Sequence, residues 1–221
     1  MTLFGELEVI DDAQPRSAAM QMAIDEALLQ CCSHPVLRFY TWGAPAISIG
    51  YFSRFAEVQQ FEGERELVRR WTGGGVVPHG DDLTYCLAIP RDQALCRSRA
   101  ALIYTPVHQA LQQALRTIGI ETTMTATAAP RLSDACFANP VAADLLLDNQ
   151  KIAGAAQRRS RAGLLHQGSV QIPDLPHSVR RHFAAALASA RAAGNLSQQV
   201  IATADRLARA RYQRPEWLRM R

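Results

Sequence analysis

Between residues 36 and 89 the chain breaks into four short apolar runs, 36–40, 46–50, 67–71 and 83–89, separated by Gly, Pro and Asp. Runs of this length with this punctuation read as β-strands. A further strand is expected over 4–10 and another over 120–127. Residues 144–152 read as a hairpin, with Leu145, Leu146 and Leu147 before the turn residues Asp148, Asn149 and Gln150. A second turn over 159–163 leads into a strand over 164–172. Helical periodicity marks 15–30, where Ala23 and Ala27, and Ile24 and Leu28, recur at i and i+4 behind Pro15. It marks 99–118, stopped by Gly119, then 179–193, capped by Ser178 and ended by Gly194, and finally 197–211. Helices both flank and interrupt the strands, and hairpin links outnumber clean βαβ units. The expected class is α+β, with mixed or antiparallel sheets packed against helices.

The chain has 221 residues, 48% hydrophobic and 20% charged, which suits a single domain over 1–221 and excludes a disordered chain. No apolar run approaches the ~20 residues that span a bilayer, and the acidic start lacks the pattern of a signal peptide. A cytoplasmic protein with no membrane association is expected. Cys31, Cys32, Cys86, Cys96 and Cys136 form an odd set without a CxxC pair, so free thiols and no metal site are expected. The net charge of +4 gathers at Arg158, Arg159 and Arg161 and again between Arg206 and Arg221. Such a surface suits an acidic partner or an anionic ligand; the stripes and fingers that would indicate nucleic acid are missing.

Of the 24 basic residues, 23 are arginine, and Lys151 is the only lysine. Wherever a positive charge needs only to be solvated, this chain uses Arg. A lone ammonium, compact and able to give up a proton, is then a candidate for work that a guanidinium cannot do.

Three segments do not read as packing. In Arg69-Arg-Trp-Thr-Gly-Gly-Gly-Val-Val-Pro-His79 the triple glycine permits close backbone approach, so its N–H groups could cradle a carboxylate or phosphate. No Gly-Lys-Ser/Thr follows, which excludes a Walker loop. Cys136 lies in Cys-Phe-Ala-Asn-Pro140, a loop-like stretch after the break at 130–134. Small residues follow Lys151 in Lys-Ile-Ala-Gly-Ala-Ala-Gln157 and leave room for a ligand against a strand.

Taken in order, these motifs resemble those of the lipoate–protein ligase A family. They are the 69–79 segment, Asp82-Leu-Thr-Tyr85, Asp144-Leu-Leu, Lys151 to Arg158 and Leu165-His-Gln-Gly-Ser169. Upstream, Arg38-Phe-Tyr-Thr-Trp42 and Ser48-Ile-Gly-Tyr51 match the family's aromatic strand pair. The likeness runs from about residue 20 to 172. It implies a fold like the catalytic domain of biotin and lipoate protein ligases. It also implies acyl transfer onto one lysine of a small acidic lipoyl domain, as in the E2 subunits of 2-oxoacid dehydrogenases or the glycine cleavage H protein. By the same resemblance Lys151 is the invariant lysine, and Arg70, Gly73, Gly74, Gly75, His79, Gly154 and His166 contact substrate.

The family holds two reactions. Octanoyltransferases move an octanoyl group from acyl carrier protein through a cysteine thioester and need no cofactor. Ligases activate free lipoate with ATP and Mg2+. Cys136-Phe-x-x-Pro140, 15 residues before Lys151, resembles the nucleophile segment of one octanoyltransferase group and makes Cys136 the expected nucleophile. Asp82-Leu-Thr-Tyr leans the same way, whereas Gly at all three loop positions is the ligase habit. Only 49 residues follow Ile172, so the C-terminal accessory domain of bacterial ligases is expected to be absent. Octanoyl transfer is the leading reading; ATP-dependent ligation and a non-catalytic lipoate or lipoyl-domain binder are the alternatives.

Overall fold

The structure is a computed structural model that describes residues 2–126 and 141–221. The first element is a long strand, β1 (Phe4–Arg16). It does not stop near residue 10, and Pro15 lies in it rather than in a helix. The first helix, α1 (Ala18–Cys31), starts only where Ser17 caps it, its hydroxyl accepting from the Met20 N–H. Four of the expected strands follow as β2 (Val36–Trp42), β3 (Ala46–Ile49), β4 (Glu66–Arg69) and β6 (Leu83–Pro90). Between them lies β5 (Val77–His79), which the sequence pattern misses: it is three residues long and carries Pro78 on a sheet edge, where no N–H is needed.

The helix α2 (Ala101–Thr117) ends at Gly119, whose φ of +85° suits glycine. Only β7 (Thr123–Met124) represents the strand expected over 120–127, within the described residues. The hairpin is as expected, with β8 (Leu145–Leu147) and β9 (Gln150–Arg159) joined through Asp148 and Asn149, both at positive φ. β10 (Gly163–Val170) follows. The helix expected over 179–193 ends early, as α3 (Ser178–Leu187), and Ala188–Ala193 becomes β11. His177, not Ser178, sits at its N-cap. The open edge of β1 wins over alanine's helix propensity here, because β11 pairs with it in parallel from Phe4↔Ala188 to Val9↔Ala193. Gly194 does not end a helix. It passes against Glu8, where any Cβ would meet the carboxylate at 1.9 Å. The chain closes with α4 (Gln198–Leu207), capped by Ser197, a π-turn over Ala208–Tyr212, and the short α5 (Pro215–Leu218).

Eight strands form one mixed sheet in the order β11-β1-β2-β6-β10-β9-β8-β7, parallel across β11-β1-β2 and antiparallel beyond. β3 pairs in parallel with β4 and antiparallel with β5 in a separate sheet. β6 is buried along its whole length because both faces of the large sheet are covered. Leu83, Tyr85, Leu87 and Ile89 join the core that includes α2 and α3, while Cys86 and Ala88 join the core that includes α1 and α4. The α+β expectation holds.

The α1 side contains a buried charge. Arg38 on β2 is fully enclosed. Its guanidinium donates to Asp12 on β1 at 2.7 Å, to Asp25 on α1 at 2.7 Å and to the Gln21 side chain. Asp25 also accepts from Tyr40 at 3.0 Å and from Gln167 on β10 at 2.7 Å. Removing one partner of such a cluster strands the others. Arg38→Met is expected to lower the unfolding free energy by about 3–5 kcal/mol in urea titrations. A loss under about 1 kcal/mol would show that the acids relax to water.

Candidate active site

A cavity opens between the α1 face of the large sheet and the small sheet. It is narrow, with about 30 Å3 open to water-sized molecules. Tyr40, Trp42 and Thr84 line it from β2 and β6, Gly154 to Ala156 from β9, Gln167 to Ser169 from β10, and Met22 from α1. Ser48, Arg70, Val77 and His79 close it from the small-sheet side. Alternation selects the lining. The pairs Gly154↔Ser169 and Ala156↔Gln167 share the cavity face of the sheet. His166, paired with Gln157, takes the opposite face. It bonds to Tyr85 at 3.3 Å and Gln157 at 3.1 Å, and it packs by His108 and Tyr104. The structure therefore places His166 behind the sheet, away from the cavity lining, against the expectation of a substrate contact.

The glycine loop rests on another glycine. A Cβ on Gly50 would stand 1.8 Å from the Gly74 carbonyl oxygen, and Gly74 itself has φ +85°. Gly50 donates to Gly75, and Tyr51 to Thr72. Adjacent residues of a strand point apart, and the two arginines before the loop divide accordingly. Arg69 turns to the C-terminal segment, donating to the carbonyls of Trp217 and Leu218 and to Gly50, Tyr51 and Ser53. Arg70 turns to the cavity wall. It donates to the carbonyls of Gly73 at 3.1 Å and Gly75 at 2.8 Å and to Ser48 Oγ at 2.5 Å. Arg70 thus braces the loop through its acceptors, and any anion the loop meets would be met through its N–H groups.

His79 stacks on Trp42 at 4.0 Å and continues this wall. Burial lowers its pKa below the ordinary imidazole value, despite the pull of Asp82. Burial alone would raise the Asp82 pKa, but bonds from His79, Ser169 and Thr84 outweigh it, and the net shift is downward. An ionised Asp82 only accepts, so His79 Nδ1–H donates to it at 2.9 Å. Nε2 is then the acceptor, and Ser48 Oγ–H donates to it at 2.6 Å. Asp82, His79, Ser48 and Arg70 form one oriented chain along the cavity.

Lys151 is held from the other side. Its Nζ lies 2.7 Å from Asp144 Oδ2, both side chains almost fully buried. The register shift between Leu145 and Leu146 breaks the simple alternation between Lys151 and Gly154. The lysine side chain then crosses Gly154, where a Cβ would meet Nζ at 2.8 Å. Gly154 lines the cavity, so the ammonium lies at its edge. β8 is short and begins at Leu145, opposite Ala153. The next outward-facing amide, Ala155 N–H, donates instead to Tyr104 Oη at 3.0 Å, and Tyr104 donates to Asp144 Oδ1 at 2.5 Å. Sequence reading missed Asp144, Tyr104, Ser48 and Asp82 as site residues. The signal for Asp144 was its place across a tight turn from the sole lysine. Cys136 lies outside the described residues. Among those residues, no three His, Cys, Asp or Glu side chains gather as a metal site.

The lipoyl protein ligase A/B catalytic domain family matches residues 17–206. The chain belongs to this family. Among its relatives are octanoyltransferase LipM of Oceanobacillus iheyensis, 35% identical over 72% of this chain and 61% of the relative, and that of Staphylococcus aureus, 34% identical over 67% and 60%. The chain thus spans about three fifths of these curated relatives. Among solved structures, a Thermoplasma protein with bound lipoic acid superposes with a TM-score of 0.78 at 20% identity, covering 97% of this chain and 99% of that one. A lipoate-protein ligase A bound with ATP gives 0.77 at 22%, covering 97% and 98%. At such identities the agreement concerns the fold, and it is the ligase A/B fold that the motifs imply. No helix among the described residues is long and apolar enough to cross a membrane.

The buried imidazoles make stability depend on pH. Burial pushes His166 down to about 3 and His108 well below the ordinary value of 6.5. Between pH 6.5 and 3 the unfolded chain protonates His166 and the folded chain does not. Stability is therefore full above pH 6.5 and falls on acidification by about 1.4 kcal/mol per pH unit for such a group. Denaturant midpoints between pH 7 and 4 should show this slope, and His166→Gln should flatten it by that amount. An equal slope in the variant would place the titration elsewhere.

Proposed function

We propose that this chain is an acyltransferase of protein lipoylation. It moves an octanoyl group from acyl carrier protein to the target lysine of a lipoyl domain through a thioester on Cys136. The observation that carries the reading is the Lys151–Asp144 ion pair laid over Gly154, at the edge of an apolar cavity. In this reading the acyl chain lies among Met22, Tyr40, Trp42, Val77 and Ala156. Each buried methylene contributes about 0.8 kcal/mol to its binding. The carbonyl then lies near Lys151, whose cation opposes the negative charge that develops as the carbonyl is attacked. Cys136 thiolate displaces the carrier's thiol, and the acceptor amine displaces Cys136 in turn. Thioester-to-thioester exchange is nearly isoenergetic and needs neither ATP nor metal. The similar chains named octanoyltransferase LipM support this choice. A Thermoplasma bi-partite lipoate protein ligase solved as a lipoylation system with its E2 lipoyl domain supports a lipoyl-domain acceptor. The working compartment in this reading is the cytoplasm.

A specific observation favours a second reading, ligation of free lipoate with ATP: all three loop positions are glycine, which leaves the backbone open to a phosphate. A two-arm assay on a lipoyl domain separates them by mass. Octanoyl-carrier protein alone should modify the domain; octanoate with ATP and Mg2+ should not. Modification only in the second arm would make the chain a ligase, and modification in neither would make it a binder.

Lys151→Arg is expected to cut transfer at least 100-fold without changing the melting temperature by more than a few degrees. A planar fork cannot take the path over Gly154 or give up a proton. A rate above a third of wild type would reduce Lys151 to a structural charge. Without an acceptor, octanoyl-carrier protein should leave an octanoyl mass on Cys136, and Cys136→Ser should abolish it, because a hydroxyl is far harder to ionise than a thiol. Full transfer by Cys136→Ser would exclude the thioester route.

A further inference from the structure

The cavity face of β9 and β10 continues past the lining pairs. After Gly154↔Ser169 and Ala156↔Gln167 comes Arg158↔Leu165. Arg158 is thus on the same face as Gly154 and four residues farther along, or about 13 Å at strand rise. Its guanidinium lies 4.8 Å from the Tyr51 ring centroid and 5.1 Å from that of Trp71. Arg221 approaches the same Tyr51 ring at 5.8 Å and Phe52 at 5.4 Å. Phe52 is 66% exposed. Tyr51 is tied to the glycine loop through its bond to Thr72.

The charges here are not balanced. Arg211, the third guanidinium on these rings, pairs with Glu26. Among the described residues no Asp or Glu lies within ion-pair distance of Arg158 or Arg221. Two guanidinium groups are therefore held against one ring with no carboxylate side chain among the described residues to pair with them. Aromatic faces orient such planar forks while leaving their edge N–H groups to meet an anion. Phosphate is the anion that best matches an arginine fork.

We infer that Arg158, supported by Arg221, is a binding site for the phosphate of the acyl donor. The inference rests on the transferase reading and deepens it. The spacing selects the kind of donor. In an acyl-adenylate the phosphate is bonded to the acyl group itself and would lie beside Lys151 and Gly154. A phosphate held by Arg158, whose backbone lies four strand residues beyond Gly154, calls for a spacer between thioester and phosphate, which is the chemistry of an acylated phosphopantetheine arm. That arm comes either on a carrier protein or on coenzyme A, and both present the same phosphate.

The test has a binding readout and a turnover readout. Tryptophan fluorescence, with Trp71 beside Arg158, is followed while phosphopantetheine or pantetheine is added. Wild type should bind phosphopantetheine about tenfold tighter, Arg158→Gln should lose that preference, and Arg161→Gln, a charge control on the nearby turn, should keep it. In turnover, wild type should favour octanoyl-carrier protein and octanoyl-coenzyme A over octanoyl-pantetheine by a similar factor. Arg158→Gln should erase the gap by slowing the phosphorylated donors only. A gap for the carrier protein alone would assign the phosphate to that source. Equal binding of the two arms by wild type, or an unchanged preference in Arg158→Gln, would overturn the site. If phosphopantetheine binds through Arg158 but no thioester is turned over, the site stands and the transferase reading falls.

Discussion

The guanidinium of Arg38, sealed from water on the α1 side of the large sheet, is the interaction on which the site depends. A charge in that position has to be matched by partners of fixed geometry. The partners come from β1, α1 and, through Asp25, from Gln167 on β10. Gln167 in turn accepts from Thr72 at 2.7 Å, and Thr72 is the residue before the glycine loop. One buried cation is thus linked through Asp25, Gln167 and Thr72 to the loop that borders the cavity. The position of that loop relative to the sheet is set by hydrogen bonds that water cannot replace.

Two further devices bring the reactive groups to the cavity edge. Glycines remove side chains where backbones or long side chains must pass: Gly50 under the 73–75 loop, Gly154 under Lys151. Short strands leave amides for other uses. Because β8 begins only at Leu145, opposite Ala153, Ala155 bonds to Tyr104, and the same phenol holds the carboxylate that holds Lys151. The burial of Tyr104 raises its pKa well above the ordinary value, so it stays a neutral donor. Asp144 is oriented from both sides.

The legible parts of the sequence were those governed by local chemistry. The hairpin around Asp148 and Asn149, the glycine loop and the sole lysine each announce themselves in a few neighbouring residues. What escaped depends on distant ones. Ala188–Ala193 is alanine-rich and helical by propensity, yet the vacant edge of β1 makes it a strand. His166 sits within a motif, but only the pairing register tells which face it takes. Arg70, Ser48 and His79 join through hydrogen bonds between residues 22 and 31 positions apart. Arg158 belonged to a charge cluster in the sequence, and the rings of Tyr51 and Trp71 that orient it come from far upstream.

Arg69 has a bearing on when the site can exist. Its guanidinium bridges the strand before the glycine loop to the carbonyls of Trp217 and Leu218, and Trp217 returns a bond to the Arg69 carbonyl at 2.9 Å. Until that distant segment has docked, Arg69 lacks two of its five carbonyl acceptors, and the strand before the loop carries a charge that is only partly matched. A chain that stopped before residue 217 would carry every cavity residue and still lack this support for the strand that leads into the loop. Assembly of the site is coupled to the docking of residues 217 and 218, and a cut between the cavity residues and that segment would loosen the loop without touching the residues that line the pocket.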